Sequence, residues 1–152
     1  MRLDPEKVSP AAYHAMLCLE NFVGKSSKLE GSLLHLIKMR ASQVNGCAFC
    51  IDMHSKDARA DGETEQRLYA LSGWRETTFF TNRERAALAW TEALTLITEG
   101  HASDHVYADA RKEFTEEELV HLSIAIIAIN GWNRLSIGFR RLPGEYQPHK
   151  PA

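Results

Sequence analysis

The sequence lacks the features that mark several classes of protein. Its 152 residues include only three cysteines, too few for a disulfide scaffold. Lysine and arginine form no cluster, and the formal net charge of −2 argues against a nucleic-acid partner. The stretch from Met1 to Lys7 has no apolar run of the kind found in signal peptides. We therefore expect a cytoplasmic protein whose thiols are free.

Long hydrophobic runs and alternating strand patterns are also missing. The most apolar segment, residues 119–129, is too short to span a bilayer, so we expect no membrane partner. At 44% apolar residues, a chain of this length can bury one good core. No stretch alternates apolar and polar residues as strands do. The sequence thus predicts a single all-α domain, a helical bundle over residues 1–152 with its core at about 10–142.

Capping residues and apolar periodicity predict where the helices lie. Thr81 with Glu84 and Thr115 with Glu118 form capping boxes, which begin helices. The segment 74–80 has β-like composition and is predicted to be an extended connector, whereas Cys18 is predicted to lie in the core. The predicted helices span 10–23, 28–43, 47–60, 63–71, 85–97, 103–112 and, from the Thr115 cap, up to about 140.

The most informative segment is residues 45–54, with the sequence NGCAFCIDMH. Cys47, Cys50 and His54 are spaced i, i+3 and i+7, so on a helix they fall within an arc of about 60°. With Asn45 as the N-cap and Gly46 at the turn, Cys47 would lie in the first helical turn. The helix dipole and unpaired N–H groups favour a thiolate there. Two thiols and a base on one face are suited to reversible redox chemistry.

Other interpretations of this segment are weaker. The two cysteines could be small buried hydrophobic residues, or half of a zinc site completed by His54 and His35. No second CxxC or HxxxH pair is present to complete such a site, so we predict no metal. Haem attachment is excluded because Ile51 follows Cys50, and a thioredoxin fold because no βαβ unit surrounds the motif.

Residues 36–58, 83–94 and 130–134 resemble the alkylhydroperoxidase D-like proteins, which are grouped with carboxymuconolactone decarboxylases. The resemblance implies an all-helical fold that assembles into trimers or hexamers. It also implies reduction of hydroperoxides by the CxxC pair, without a bound cofactor. An external dithiol, such as a lipoyl group on a partner protein, would regenerate the thiols. The segment 119–129 independently favours a homo-oligomer, because it is apolar on nearly every helical face.

The resemblance also assigns roles to individual residues. Cys50 corresponds to the peroxidatic thiol that becomes a sulfenic acid, Cys47 to the resolving thiol and proton donor, and His54 to the relay histidine. The sequence departs from the family pattern at His35, where the best-known members have a glutamate, and at Phe49, where some have a second histidine. We expect His35 to exchange protons with His54 through water.

Two functions remain open from the sequence. The first is a dithiol peroxidase or general thiol oxidoreductase. The second is a non-redox member of the family, either a decarboxylase-like enzyme or a small-molecule-binding oligomer. A lactone decarboxylase has no evident use for two vicinal thiols, so the intact CxxC pair favours the first.

Overall fold

The structure, a computed structural model that describes residues 1–148, is all-α and has no strand in that range. The all-α prediction is confirmed. None of the helices within these residues is both long and apolar enough to cross a membrane. The eight α-helices of this part of the chain are α1 (Pro5–Val8), α2 (Pro10–Lys25), α3 (Gly31–Asn45), α4 (Ala48–Ala60), α5 (Glu65–Ala70), α6 (Asn82–Thr95), α7 (Asp104–Glu113) and α8 (Glu116–Gly138).

Both capping boxes form as predicted. The Thr81 hydroxyl accepts a hydrogen bond from the backbone N–H of Glu84, and the Glu84 carboxylate accepts one from the backbone N–H of Thr81. Thr115 and Glu118 make the same reciprocal pair at the start of α8. Each box satisfies N–H groups that a helix start leaves free, which fixes where α6 and α8 begin.

Helix α3 lies at the centre and packs against α4, α6 and α8. Its Leu33 and Ile37 belong to one core cluster with Leu122 and Ile126 of α8. The α3 residue Leu36 belongs to a second cluster, which also contains Leu88 of α6. Helix α2 packs across α8, and α4 lies between α3 and the last turns of α8. This arrangement brings α2, α3, α4 and α8 around one space.

Two local predictions were wrong. Trp74 is part of a 3₁₀ helix, Leu71–Glu76, instead of an extended connector, because its indole is buried and donates a hydrogen bond to the carboxylate of Glu92. Cys18 is exposed instead of lying in the core. Helix α2 sits on the outside of the bundle and buries only Val23 fully, so most of its apolar residues are only partly covered.

Candidate functional site

A tight turn between α3 and α4 sets the position of the first cysteine. Gly46 ends α3 with φ 68°, in the left-handed region that favours glycine, and Cys47 is the N-cap of α4. Asn45 is therefore not the N-cap that the sequence predicted. Its side-chain amide instead donates hydrogen bonds to the Oδ1 atoms of Asn130 and Asn133, at 3.0 and 2.8 Å. These bonds fasten the turn to α8.

The two cysteines of the motif are in contact and almost fully buried. The Cys47 sulfur accepts a hydrogen bond from the backbone N–H of Cys50 at 3.4 Å, and each residue is 1% exposed. The Cys50 thiol hydrogen bonds to the Cys47 sulfur, which lowers the pKa of Cys47 to about 7 against the opposing effect of burial. The same hydrogen bond, together with burial, raises the pKa of Cys50. Cys50 therefore keeps its proton to a higher pH than Cys47 does, because the two thiols titrate as an interacting pair.

His54 lies one helical turn beyond Cys50 and is 6% exposed. Its Nε2 atom has no hydrogen-bond partner among the described residues. Burial, followed by the nearby charges of Lys38 and His35, lowers the pKa of His54 to about 3. The side chain is therefore a neutral imidazole at physiological pH, able to accept a proton at one nitrogen and donate one from the other.

Cys50 and His54 both line a cavity of about 440 Å³, whereas Cys47 lies behind Cys50 and outside the lining. The walls come from α2, α3, α4 and α8 and from the segment that follows α8. Most of the wall is apolar or aromatic, with charged groups at intervals. The lining residues are Tyr13, Leu17, Glu20, His35, Lys38, Phe49, Cys50, Met53, His54, Asp57, Trp132, Ser136, Arg141 and Tyr146.

The four residues predicted from the sequence therefore come together. His35 of α3 lines the same cavity as His54, and its Nε2 lies 2.7 Å from Oδ2 of Asp61 at the end of α4. Asp61 is 26 residues from His35, and no local sequence pattern connects the two.

The sequence analysis also missed a charged pair in the cavity wall. The Lys38 ammonium group donates a hydrogen bond to the Glu20 carboxylate, which also accepts one from the Trp132 indole at 3.2 Å. Lys38 follows His35 by three residues, so it could have been placed on the same face of α3. Glu20 comes from α2 and has no local pattern that connects it with the motif.

No group of three or more histidine, cysteine or carboxylate side chains within residues 1–148 could hold a metal ion. The arrangement that the cavity does offer is a vicinal dithiol with a neutral imidazole beside it. Such an arrangement can exchange protons and can form a disulfide.

Comparison with known proteins places this site in a family. The carboxymuconolactone decarboxylase family matches residues 10–93, a range that contains the CxxC motif and α2 to most of α6. An uncharacterized protein of Bacillus subtilis, YdfG, is 43% identical over 136 residues, which are 90% of this chain and 92% of YdfG.

Solved structures share the fold. The protein of unknown function ATU0492 from Agrobacterium tumefaciens, proposed to be the antioxidant defence protein AhpD, is 47% identical, with a TM-score of 0.91 over 95% of this chain and 99% of its own. The debrominase Bmp8 is 18% identical, with a TM-score of 0.79 over 91% of this chain and 74% of its own, which shows the fold alone. The chain belongs to the carboxymuconolactone decarboxylase family, and its fold is of the alkylhydroperoxidase D-like type.

Proposed function

We propose that this protein is a thiol-dependent peroxidase that reduces organic hydroperoxides with the Cys47–Cys50 pair. One observation carries the proposal: Cys50 and the buried neutral His54 line a cavity large enough for a small organic molecule, and the backbone N–H of Cys50 donates a hydrogen bond to the sulfur of the vicinal Cys47. Cys50 faces the cavity and Cys47 lies behind it. This order suits Cys50 as the thiol that meets the peroxide and Cys47 as the thiol that resolves it.

The chemistry follows from the shared proton of the pair. Before attack, the proton of the Cys50 thiol moves to the Cys47 sulfur, which leaves a thiolate at Cys50. This thiolate attacks one peroxide oxygen, the O–O bond breaks, and Cys50 becomes a sulfenic acid. The departing alkoxide takes the proton from Cys47 and leaves as an alcohol.

The second half of the reaction closes the disulfide. The Cys47 thiolate attacks the Cys50 sulfur and displaces hydroxide, which needs one further proton to become water. Starting from one thiolate and one thiol, each turnover thus takes up one proton from outside the pair. We assign His54 to the relay of protons at this point, because its Nε2 is buried, unpartnered and one turn from Cys50.

An external dithiol would then reduce the disulfide and become oxidised in turn. We expect a lipoyl group or a lipoyl-bearing protein, in agreement with the family resemblance. We also propose that the protein acts in the cytoplasm, because thiols remain reduced there between turnovers. All three cysteines are free thiols in the structure.

A non-redox role in the same cavity is the second candidate. The 440 Å³ cavity with largely apolar walls could bind a small molecule without any thiol chemistry. A variant in which serine replaces both Cys47 and Cys50 separates the two candidates. If the protein only binds a small molecule, this double variant still binds it as the wild type does.

We further propose that the protein is a homo-oligomer, a trimer or a hexamer. Helix α8 exposes three large aliphatic side chains: Val120 is 59% exposed, Ile127 56% and Ile137 46%. A neighbouring subunit would cover them. Light scattering after size-exclusion chromatography tests this proposal, and a mass near 17 kDa at micromolar concentration would reject it.

Thiol titration before and after one equivalent of hydroperoxide tests the peroxidase proposal. We expect the denatured chain to show three thiols before and one after, because only Cys18 remains free. The matched control is Cys18→Ser, which should go from two thiols to none. Three thiols remaining after peroxide would reject the proposal.

A further inference from the structure

The reaction proposed above needs one proton from solvent in each turnover, yet its thiols and its histidine are buried. Cys47 and Cys50 are each 1% exposed, and His54 is 6% exposed. The unpartnered Nε2 of His54 is a place where such a proton can arrive. A buried nitrogen without a partner is costly to maintain, which suggests that a transient partner reaches it.

His35 lies between two cavities. The first is the cavity lined by Cys50 and His54, the thiol cavity, and the second lies on the other side of His35. The second cavity also measures about 440 Å³ and is lined by residues of α3 and of the loop after α4, among them Gly31, Asp61 and Glu63. Among the described residues, His35 alone lines both spaces. Its side chain is 17% exposed, whereas that of Asp61 is 61% exposed. The path from solvent to His54 thus runs from an exposed carboxylate to a half-buried imidazole.

We propose that His35 and Asp61 form the proton inlet of the thiol site, with His35 as the relay residue and Asp61 as the residue that positions it. This inference rests on the proposed peroxidase function and deepens it. Asp61 Oδ2 lies 2.7 Å from His35 Nε2 and thereby fixes the orientation of the ring, so that its other nitrogen is free to exchange a proton with a water in the thiol cavity.

The charged groups around this path leave Asp61 as the acid available to His35. On the thiol side, Lys38 is paired with Glu20. On the outer side, Arg67 is paired with Glu63 and Glu84. Within residues 1–148, the Asp61 carboxylate has His35 as its side-chain partner and forms no ion pair with lysine or arginine.

The proton balance fixes which step the inlet serves. A proton from solvent passes through the His35–Asp61 pair and His54 to the hydroxide that leaves Cys50 as the disulfide closes, and the product is water. Formation of the sulfenic acid needs no external proton, because Cys47 supplies the one that the alcohol takes. An impaired inlet should therefore slow disulfide formation and leave the first step unchanged.

Single-turnover kinetics of the reduced protein with a hydroperoxide separate the two steps. We expect Asp61→Asn and His35→Phe to form the sulfenic acid at the wild-type rate. Both should close the disulfide roughly 10-fold or more slowly at about pH 8, where protons are scarce. Asp61→Glu should restore most of the rate, and millimolar imidazole should accelerate His35→Phe. Asp109→Asn is the matched control, because that carboxylate also pairs with a histidine, His105, but lies on α7 and lines neither cavity.

The outcomes distinguish the inlet from the peroxidase function. A wild-type protein that forms neither sulfenic acid nor disulfide refutes the function. The inlet alone is refuted if the wild-type protein turns over and both Asp61→Asn and His35→Phe close the disulfide at the wild-type rate at every pH. Thermal unfolding of each variant monitors the fold, and a variant that slows both steps equally also contradicts the inlet.

Discussion

The cluster around Glu92 and the thiol site both join helices of this protein, and they differ in how completely their polar groups are paired. At the first, the Glu92 carboxylate of α6 accepts hydrogen bonds from Nε of Arg40 at 2.7 Å, from the indole of Trp74 at 2.8 Å and from Arg75 at 2.5 Å. At the second, the thiol site, Nε2 of His54 has no partner within the described part of the chain. The Glu92 carboxylate is fully hydrogen-bonded, whereas the thiol site contains a buried nitrogen without a partner among the described residues.

The degree of hydrogen bonding separates structural from functional polar groups in this fold. Burial raises the pKa of Glu92, but the bonds from Trp74, Arg75 and Arg40 outweigh that effect and hold the pKa below its ordinary value. The ionised carboxylate is therefore stabilised in the folded state. At His54, burial is the largest effect and nothing balances it, so the charged form is disfavoured. A cluster that only stabilises the fold has no reason to leave such a cost in place.

The largest effect should come from breaking the satisfied cluster. We expect Glu92→Gln to lower the free energy of unfolding by about 3 kcal/mol, because it leaves the largely buried Arg40 without its counter-ion and also removes the partner of the more exposed Arg75. Urea unfolding measures this change. Glu99→Gln, at an exposed residue, is the control and should change stability by less than about 0.5 kcal/mol. Equal effects at Glu92 and Glu99 would contradict the stabilising role of the Glu92 cluster.

The next effect concerns activity. His54→Ala should lower peroxide turnover roughly 100-fold or more, the range expected when a positioned acid–base group is lost. His54→Ala should lower the free energy of unfolding much less than Glu92→Gln does. Steady-state peroxide consumption measures the turnover, and His14→Ala on the exposed side of α2 is the control. Normal turnover in His54→Ala would make His54 a structural residue.

A smaller effect should appear in acid. The pKa of His54 is about 3 in the folded protein, against 6.5 for the ordinary side chain, so the unfolded chain binds a proton first as pH falls. The contribution of His54 to stability is therefore complete above about pH 6.5 and declines below it, by roughly 2 kcal/mol at pH 5. Urea unfolding at pH 5 and above about pH 6.5 should show this loss of stability in the wild type and a smaller loss in His54→Gln. An equal loss in both proteins would contradict the burial of a neutral His54.

The smallest effect concerns the shared proton of the cysteines. Because the hydrogen bond from the Cys50 thiol is the main cause of the lowered Cys47 pKa, the thiolate of Cys47 should form with a midpoint at about pH 7. The midpoint should rise in Cys50→Ala, which removes that donor. Ultraviolet absorbance of thiolates in a Cys18→Ser background measures both midpoints. An unchanged midpoint in Cys50→Ala would locate the cause elsewhere.

The comparison also explains what the sequence could and could not predict. The capping boxes at Thr81 and Thr115 are local patterns, and both form as predicted. The spacing of the motif places Cys50 and His54 one turn apart on α4, whereas Cys47 is the N-cap instead of lying in the first turn. The exposure of Cys18 and the 3₁₀ helix at Trp74 depend on which helix covers which, and a local pattern does not contain that information.

The same limit applies to the site. Its three central residues lie within one helical segment, whereas Glu20 and Asp61 reach the cavity region from other parts of the chain. The assignment of Asn45 as an N-cap failed for a related reason. Residues of α8 that are distant in sequence offer its amide better partners than the helix start does.

Peptide mass mapping after treatment with one equivalent of hydroperoxide tests whether Cys47 and Cys50 form a reversible disulfide. Trypsin should release residues 41–56 as one peptide that contains both cysteines. We expect this peptide to become lighter by two hydrogen atoms, a dithiol to reverse the change, and Cys18 to remain a thiol. A peptide that keeps both thiols, or gains oxygen without pairing, would contradict the resolving role of Cys47.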